Sequence, residues 1–141
     1  MIIERATEDD LVGVIAVDAA HMGTPRADFL TETVRKRQCY IAREGWDVLG
    51  YVVLTSEFFG QYFVDLLIVH PEQRRKGVAT ALMQHIERIV PTGKLFTSTN
   101  ESNAPMRALC ERLGFVQSGR IDNLDEGDPE IVYFKRLTHE A

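Results

Sequence analysis

The residues best suited to chemistry form a basic segment, Arg74 to Thr80, called here the basic turn, which lies between an apolar stretch and a stretch with helical spacing. The first backbone N–H groups of a helix have no partner within the helix, and the helix dipole places partial positive charge there. Gly77 lets a ligand approach the backbone closely. Residues of these types in this order predict a binding site for a phosphate group.

The composition limits the classes of protein to consider. A chain of 141 residues, 45% of them hydrophobic, predicts one domain, 1–141, with a single core. The net charge of −5 argues against nucleic acid as a partner. Neither a membrane-spanning run nor a secretion signal is apparent, so we expect a soluble, cytoplasmic protein with no membrane association. The two cysteines and four scattered histidines indicate neither a disulfide framework nor a metal site.

The elements that must position the basic turn follow from periodicity and turn residues, which predict the order β-α-α-β-β-β-α-β-α-β-β. The predicted strands are Ile2 to Arg5, Tyr40 to Arg43, Val48 to Leu54, Tyr62 to Val69, Leu95 to Thr99, Val116 to Ile121 and Ile131 to Phe134. The predicted helices follow Thr7-x-x-Asp10, run from Pro25 to about Arg37, follow Gly77, and run from Asn103 to a stop at Gly114. This pattern predicts a mixed α/β domain.

This order of elements, with the motifs on it, resembles the GNAT superfamily of acyl-CoA-dependent N-acyltransferases over nearly the whole chain. Arg74-x-x-Gly77-x-Ala79 matches the family signature Arg/Gln-x-x-Gly-x-Gly/Ala, and Leu67-Ile68-Val69 with Pro71 matches its Leu-x-Val-x-Pro lead-in. Asn103 and Gly114-Phe115 follow at the family's spacing. The resemblance implies a central mixed, largely antiparallel sheet flanked by about four helices, and an acetyl-CoA-dependent N-acetyltransferase.

The resemblance also implies which residues bind acetyl-CoA, with no metal. The backbone of Leu67, Ile68 and Val69 is expected to pair with the pantetheine arm. The residues expected to wrap the pyrophosphate are Arg74, Arg75, Lys76, Gly77, Val78, Ala79 and Thr80. Asn103 is expected to contact the cofactor, or alternatively to cap the helix that it precedes. The alternative for the basic side chains is a solvated charge run.

The implied reaction is attack of an amine on a thioester carbonyl, which calls for a base, an oxyanion donor and a proton for the leaving sulfur. The backbone around Ile68 or Val69 is expected to supply the oxyanion donor. Asp65 is the predicted base, because it is the only carboxylate in its strand and shares a face with Leu67 and Val69. Burial would have to raise its pKa. The alternative is a structural ion pair or a place at a strand edge.

Cys110 stands where many family members place a tyrosine that protonates the leaving thiolate. A thiol can donate a proton, so Cys110 is a candidate acid. The alternative is packing, since Cys110 lies on an apolar helix face, and Tyr133 is then a fallback donor. The substituted tyrosine also leaves open a catalytically silent acyl-CoA-binding sensor or interaction module.

The acceptor is predicted only as a class. The acidic segment Ile121 to Glu130 corresponds to a region that borders the acceptor cleft in relatives, which favours a cationic small-molecule or peptide amine. The alternative is that these acids are solvated turn residues. An exposed strand edge near the C-terminus would suit a homodimer.

Overall fold

A computed structural model of the chain describes residues 1–138. These residues form seven strands and four α-helices in the predicted order. The strands are β1 (Ile2–Arg5), β2 (Cys39–Glu44), β3 (Asp47–Phe58), β4 (Gln61–Val69), β5 (Lys94–Asn100), β6 (Val116–Ile121) and β7 (Glu130–Arg136). The helices are α1 (Leu11–Met22), α2 (Ala27–Arg35), α3 (Val78–Ile89) and α4 (Ala104–Arg112). None of the helices within residues 1–138 is long and apolar enough to cross a membrane.

Several predicted bounds differ from the structure by one or two residues, and the end of β3 differs by four. Strand β3 continues to Phe58, beyond the predicted end at Leu54, because a two-residue turn joins it to β4. Phe59 and Gly60 have φ angles of 52° and 74°, and a turn with two positive φ values matches the twist of the strands that it connects. Helix α2 ends at Arg35 and not at Arg37, whose φ of 61° is outside the helical region.

The first compact unit comprises Met1–Leu54 and Leu66–Ile86. Its strands have the order β1-β2-β3-β4, and β1 with β2 and β2 with β3 are antiparallel. Its core consists of buried side chains from the elements between β1 and β4: Ala6, Val14, Val17, Leu30, Val34, Cys39, Ile41, Tyr51, Val53 and Ile68. Burial of such apolar surface is the main favourable term in folding, so this cluster holds α1 and α2 against the strands.

The second compact unit comprises Thr55–Asp65 and the described residues from Glu87 onward. Its strands have the order β3-β4-β5-β7-β6. Strand β4 pairs parallel with β5, whereas β7 pairs antiparallel with both β5 and β6. The mixed, largely antiparallel strand pairing predicted from the resemblance is therefore confirmed. That residues 1–141 form one domain stays a prediction.

Candidate functional site

The backbone between β4 and α3 turns sharply in the first unit. A single turn of 3-10 helix over Pro71–Gln73 follows β4, and His70 Nδ1 accepts a hydrogen bond from the N–H of Glu72 at 3.1 Å. Arg75 and Gly77 then have φ angles of 65° and 78°, both in the left-handed region. The two left-handed residues redirect the chain so that α3 begins at Val78.

The start of α3 presents unpaired donors. The first bond of this helix joins the N–H of Ala81 to the carbonyl oxygen of Gly77 at 3.0 Å. The N–H groups of Val78, Ala79 and Thr80 precede that bond, so they lack an intrahelical acceptor. Apart from its two chain neighbours, no described residue would place a heavy atom within 4 Å of a Cβ atom on Gly77, so the space beside the backbone is open. The predicted phosphate cradle therefore has donors and room for an anion.

Arg74, Arg75 and Lys76 are exposed. Lys76 Nζ donates to Gln73 Oε1 at 3.0 Å, and Arg74 Nη2 lies 3.2 Å from Nδ1 of His21 on α1. Within residues 1–138, none of these three cations forms an ion pair with a carboxylate. Their charge is therefore available to a phosphate group, and the chemistry of the cradle fits the pyrophosphate of acetyl-CoA. His21 was not predicted here, because 53 residues separate it from Arg74.

The predicted pantetheine segment, Leu67 to Val69, ends β4 in the first unit. Ile68 is buried, and its two neighbours are half-buried. The parallel register of β4 with β5 consists of Phe63↔Phe96 and Val64↔Thr97. The pantetheine segment lies beyond these pairs, so its backbone fits a cofactor that pairs like an added strand.

Asp65 belongs to the second unit and is exposed. Its neighbour Val64 is buried, whereas Leu66 and Leu67 are both half-buried, so burial alone does not assign Asp65 to one face of β4. That Asp65 shares a face with Leu67 and Val69 stays a prediction. Its role as the base stays a prediction.

Asn103 caps α4 in the second unit. Its side-chain Oδ1 accepts a hydrogen bond from the N–H of Met106 at 3.2 Å, as the capping alternative requires. This bond satisfies one donor of the first helical turn. A cofactor contact by Asn103 stays a prediction.

Cys110 is a core residue of the second unit. Its exposed fraction is 1%, and burial raises the pKa of its thiol to about 11, with a smaller contribution from Glu111. Tyr133 is also buried, and its hydroxyl oxygen accepts a hydrogen bond from Nε of Arg107 at 3.1 Å. Their burial supports packing as the role of both side chains.

Most carboxylates of the acidic loop between β6 and β7 bind their own chain. Asp125 and Asp128 accept hydrogen bonds from Asn100 and Ser102, respectively, at distances between 2.6 and 3.1 Å. Further bonds join Asp122 to Arg120 and Glu130 to Ser98, each at 2.6 Å. These bonds order the loop, so an acceptor is not needed to explain the carboxylates.

Comparisons with known proteins indicate the family of the chain. Residues 5–115 match the family model described as "Acetyltransferase (GNAT) family". S-(2-succino)cysteine N-acetyltransferase of Bacillus subtilis is 25% identical over 124 residues, which cover 80% of this chain and 74% of that protein. Peptidyl-lysine N-acetyltransferase YjaB of Salmonella typhimurium is 30% identical over 81 residues, which cover 57% and 51%. A crystal structure of a GNAT-family acetyltransferase from Bacillus cereus has a TM-score of 0.93 and 34% identity, with 98% of each chain covered.

Proposed function

The chain belongs to the acetyltransferase (GNAT) family, and from this premise we propose that it transfers an acetyl group from acetyl-CoA to a primary amine of a small molecule or peptide, by direct attack in a ternary complex. The observation that supports cofactor binding most directly is the cradle at the basic turn. Three helix N–H groups, three cations that form no ion pair with a carboxylate of the described residues, and open space at Gly77 occur together there.

Acetyl-CoA supplies the acetyl group as an activated thioester. The N–H groups of Val78, Ala79 and Thr80 bind its pyrophosphate, because they lack helical acceptors and lie at the positive end of the α3 dipole. Arg74, Arg75 and Lys76 add positive charge at the same place. The backbone of Leu67 to Val69 aligns the pantetheine arm by strand-like hydrogen bonds.

The charge that develops on the thioester oxygen during attack needs a donor that is already in position. We assign this role to an N–H of β4 at Ile68 or Val69. Ile68 is buried, so this part of the strand is held by the core and its N–H groups need little reorganisation. Such preorganised donors are worth far more in a water-poor site than in bulk water.

Asp65 is our proposed base, acting through water. Its side chain is exposed, so water can reach the carboxylate and relay a proton to it from the attacking amine. We expect Asp65→Asn to lower kcat by on the order of 10²-fold if Asp65 has this role. Glu57→Gln, another exposed acid of the second unit, is the matched control. Equal kcat values in the two variants would remove Asp65 from the mechanism.

The leaving sulfur needs no buried acid. An ordinary thiol has a pKa of about 8.5, so a thiolate can leave without prior protonation near neutral pH. Cys110 is buried, so its thiol is poorly placed to contact solvent or substrate. The same burial raises the pKa of the thiol to about 11. We therefore propose that solvent protonates the thiolate and that Cys110 packs.

The names of the relatives support only the general class of acceptor, an amine. One relative is named for S-(2-succino)cysteine and the other for peptidyl-lysine. Both names specify an amine, one in a small molecule and one in a peptide. The acidic loop gives little support to a preference for cationic amines, because most of its carboxylates are occupied by hydrogen bonds within the chain.

The test is acetyl-CoA-dependent release of CoA, with mass spectrometry of the products, against separate pools of amino acids and their S-conjugates, polyamines, aminoglycosides and lysine-containing peptides. Turnover with one pool is expected and names the acceptor type. Acetyl-CoA binding with no turnover in any pool would contradict the proposed amine acceptors and favour the binding-module alternative. No binding at all would contradict the assigned cofactor site.

Gly77→Arg tests the cradle itself. A side chain at this position would fill the open space, and it would also have to adopt a φ of 78°. We expect loss of acetyl-CoA binding by more than about 100-fold, measured by calorimetry, with the fold retained. The control is Gly45→Arg, in the β2–β3 turn of the same unit, whose φ is 59° and which also has nothing within 4 Å of its Cβ position. Unchanged affinity in Gly77→Arg would exclude pyrophosphate from the basic turn.

A further inference from the structure

Gly50 lies in β3, in the first unit, opposite Ala42 of β2. Its backbone does not have a positive φ, so no left-handed conformation requires a glycine. Glycine in the interior of a strand is unfavourable by roughly 0.5–1 kcal/mol relative to alanine. The other residues of this strand from Leu49 to Leu54 are large and buried. A requirement other than backbone conformation or strand stability must therefore account for Gly50.

Gly50 is required because backbone atoms of β4 and the side chain of Val78 lie very close to it. A Cβ atom on Gly50 would lie 2.8 Å from the carbonyl oxygen of Ile68, 3.3 Å from Cα of Val69 and 3.2 Å from Cγ1 of Val78. Real Cβ atoms essentially never approach another heavy atom within 3.0 Å. Two of the three neighbours are backbone atoms, which cannot rotate away as the end of a side chain does. An alanine would therefore have to move β4 itself.

These three neighbours belong to both halves of the cofactor site assigned to the first unit. Ile68 and Val69 are in the pantetheine segment, and Val78 is the first residue of α3, whose N–H belongs to the phosphate cradle. On the preceding residue of β3, the carbonyl of Leu49 accepts a hydrogen bond from the N–H of His70 at 2.9 Å. This bond holds the end of β4 to β3, so crowding at Gly50 would tilt or twist the segment rather than release it.

We infer that Gly50 is a positioning residue for acetyl-CoA: by lacking a side chain, it sets the spacing between β3, the pantetheine segment and the start of α3. This inference depends on the proposed cofactor site, which it extends to a residue that does not touch the cofactor. A displacement of a few tenths of an ångström would misalign several backbone hydrogen bonds at once. Misplacement by about 1 Å can reduce rates by on the order of 10²-fold.

The test compares Gly50→Ala with Gly13→Ala. Gly13 lies in α1 of the same unit, and a Cβ there would lie 2.5 Å from Cγ2 and 3.1 Å from Cβ of Val48. Val48 is in β3, two residues before Gly50, so Gly13→Ala crowds β3 without touching β4 or α3. Both variants add one methyl group at a position that is already crowded, so both should lose stability through overpacking.

For Gly50→Ala we expect Kd and KM for acetyl-CoA to rise roughly tenfold or more, with KM for the amine changed much less. In the cofactor-free protein, the amide NMR shifts of Ile68, Val69 and Val78 should move in Gly50→Ala and stay unchanged in Gly13→Ala. If a folded Gly50→Ala binds acetyl-CoA with wild-type affinity, the inference is wrong and the cofactor site stands. If the wild-type protein itself does not bind acetyl-CoA, the proposed function fails and the inference fails with it.

The double variant Gly50→Ala with Val78→Ala is the second test. It removes the 3.2 Å contact between the new Cβ and Cγ1 of Val78, so only the crowding against β4 remains. Affinity intermediate between Gly50→Ala and wild type supports the inference. If neither the single nor the double variant folds, Gly50 is needed for folding rather than for cofactor position, and the inference is overturned.

Discussion

Two groups of charged side chains in the first unit differ in what satisfies them. The buried Asp18 and Tyr51, together with the half-buried Arg26, form a cluster, called here the buried cluster, in which the charges of Asp18 and Arg26 are paired with each other. The cations of the basic turn, Arg74 to Lys76, are exposed and have no carboxylate partner within residues 1–138. The difference teaches which charges stabilise the fold and which are left for a ligand.

The buried cluster is densely bonded. The carboxylate of Asp18, which has an exposed fraction of 0%, accepts hydrogen bonds from the N–H, Nε and Nη2 of Arg26 at 2.9, 3.2 and 2.6 Å, and from the hydroxyl of Tyr51 at 2.7 Å. Burial alone would raise the pKa of Asp18, but the bonds from Arg26 and Tyr51 and the charge of Arg26 lower it to about 2. The cluster connects α1, the start of α2 and β3.

The largest expected effect comes from breaking this cluster. Asp18→Asn leaves a partly buried guanidinium without its counter-ion, so we expect the free energy of unfolding in urea to fall by about 3–5 kcal/mol. Glu32→Gln, which breaks the exposed 3.6 Å pair with Arg35, should cost at most about 1 kcal/mol. If Asp18→Asn does not fold, Tyr51→Phe gives a measurable loss of roughly 1 kcal/mol. Equal losses at the buried and exposed pairs would refute the contrast.

The second-largest effect is expected from acid, which should reduce the stability that the buried cluster contributes. The pKa of Asp18 is about 2 in the folded protein, against 3.8 for the ordinary carboxyl group, so the folded state binds this proton less readily than the unfolded state. The resulting stability is present above about pH 4 and is lost as the pH falls toward 2, by about 2 kcal/mol in total. Urea unfolding at pH 5 and pH 2.5 measures it. Asp18→Asn should show a correspondingly smaller acid effect, and an unchanged acid effect would contradict the assignment.

The same contrast between buried and exposed groups predicts a packing role for Cys110 in the second unit. Cys110→Ala removes only a small side chain, so we expect unfolding free energy to fall by roughly 1 kcal/mol and kcat to stay within about twofold of wild type. Cys39→Ala is the control, because Cys39 is fully buried in the first unit and burial likewise raises the pKa of its thiol, to about 12. A tenfold loss of kcat in a folded Cys110→Ala alone would return Cys110 to the role of acid.

The smallest effect is expected at a single cation of the basic turn. Lys76→Ala should weaken acetyl-CoA binding by roughly 0.5–1 kcal/mol, about two- to fivefold, without changing thermal stability, because Lys76 is exposed. Lys36→Ala removes an exposed lysine near the end of α2 and should change neither quantity. The difference should shrink at high salt. Equal affinities in the two variants at low salt would mean that the charge of Lys76 is not used.

Local patterns were enough to predict much of the fold. Of the four apolar residues predicted at helical spacing in α3, Val78, Leu82 and Ile86 are buried, because a helix repeats every 3.6 residues. The fourth, Ile89, is the last residue of the helix and is 37% exposed. The β2–β3 hairpin was also predicted correctly, and the cap at Asn103 was one of the two roles expected for that residue, since each depends on neighbours only a few residues away. The bounds of β3 were missed because Phe59 adopts a positive φ, which its residue type disfavours.

The site was predictable where it coincides with a motif and not where it depends on contacts across the fold. Gly77 was identified because its turn is local. Gly50 was missed, although an isolated glycine inside a predicted strand is itself a signal of close backbone approach. The bonds of Asp18 to Arg26 and Tyr51 span 8 and 33 residues, and no spacing rule joins such positions.

The sequence by itself determined the order of elements, the basic turn before α3 and membership of a family that handles acyl-CoA, because each depends on residue types at short separations. Only the tertiary structure decided which charges are neutralised and which thiols are buried. It also decided that Gly50 is the glycine whose missing side chain allows β4 to lie close to β3. Burial and partner geometry arise when distant segments pack, and they determine whether a given side chain stabilises the fold or remains available to a ligand.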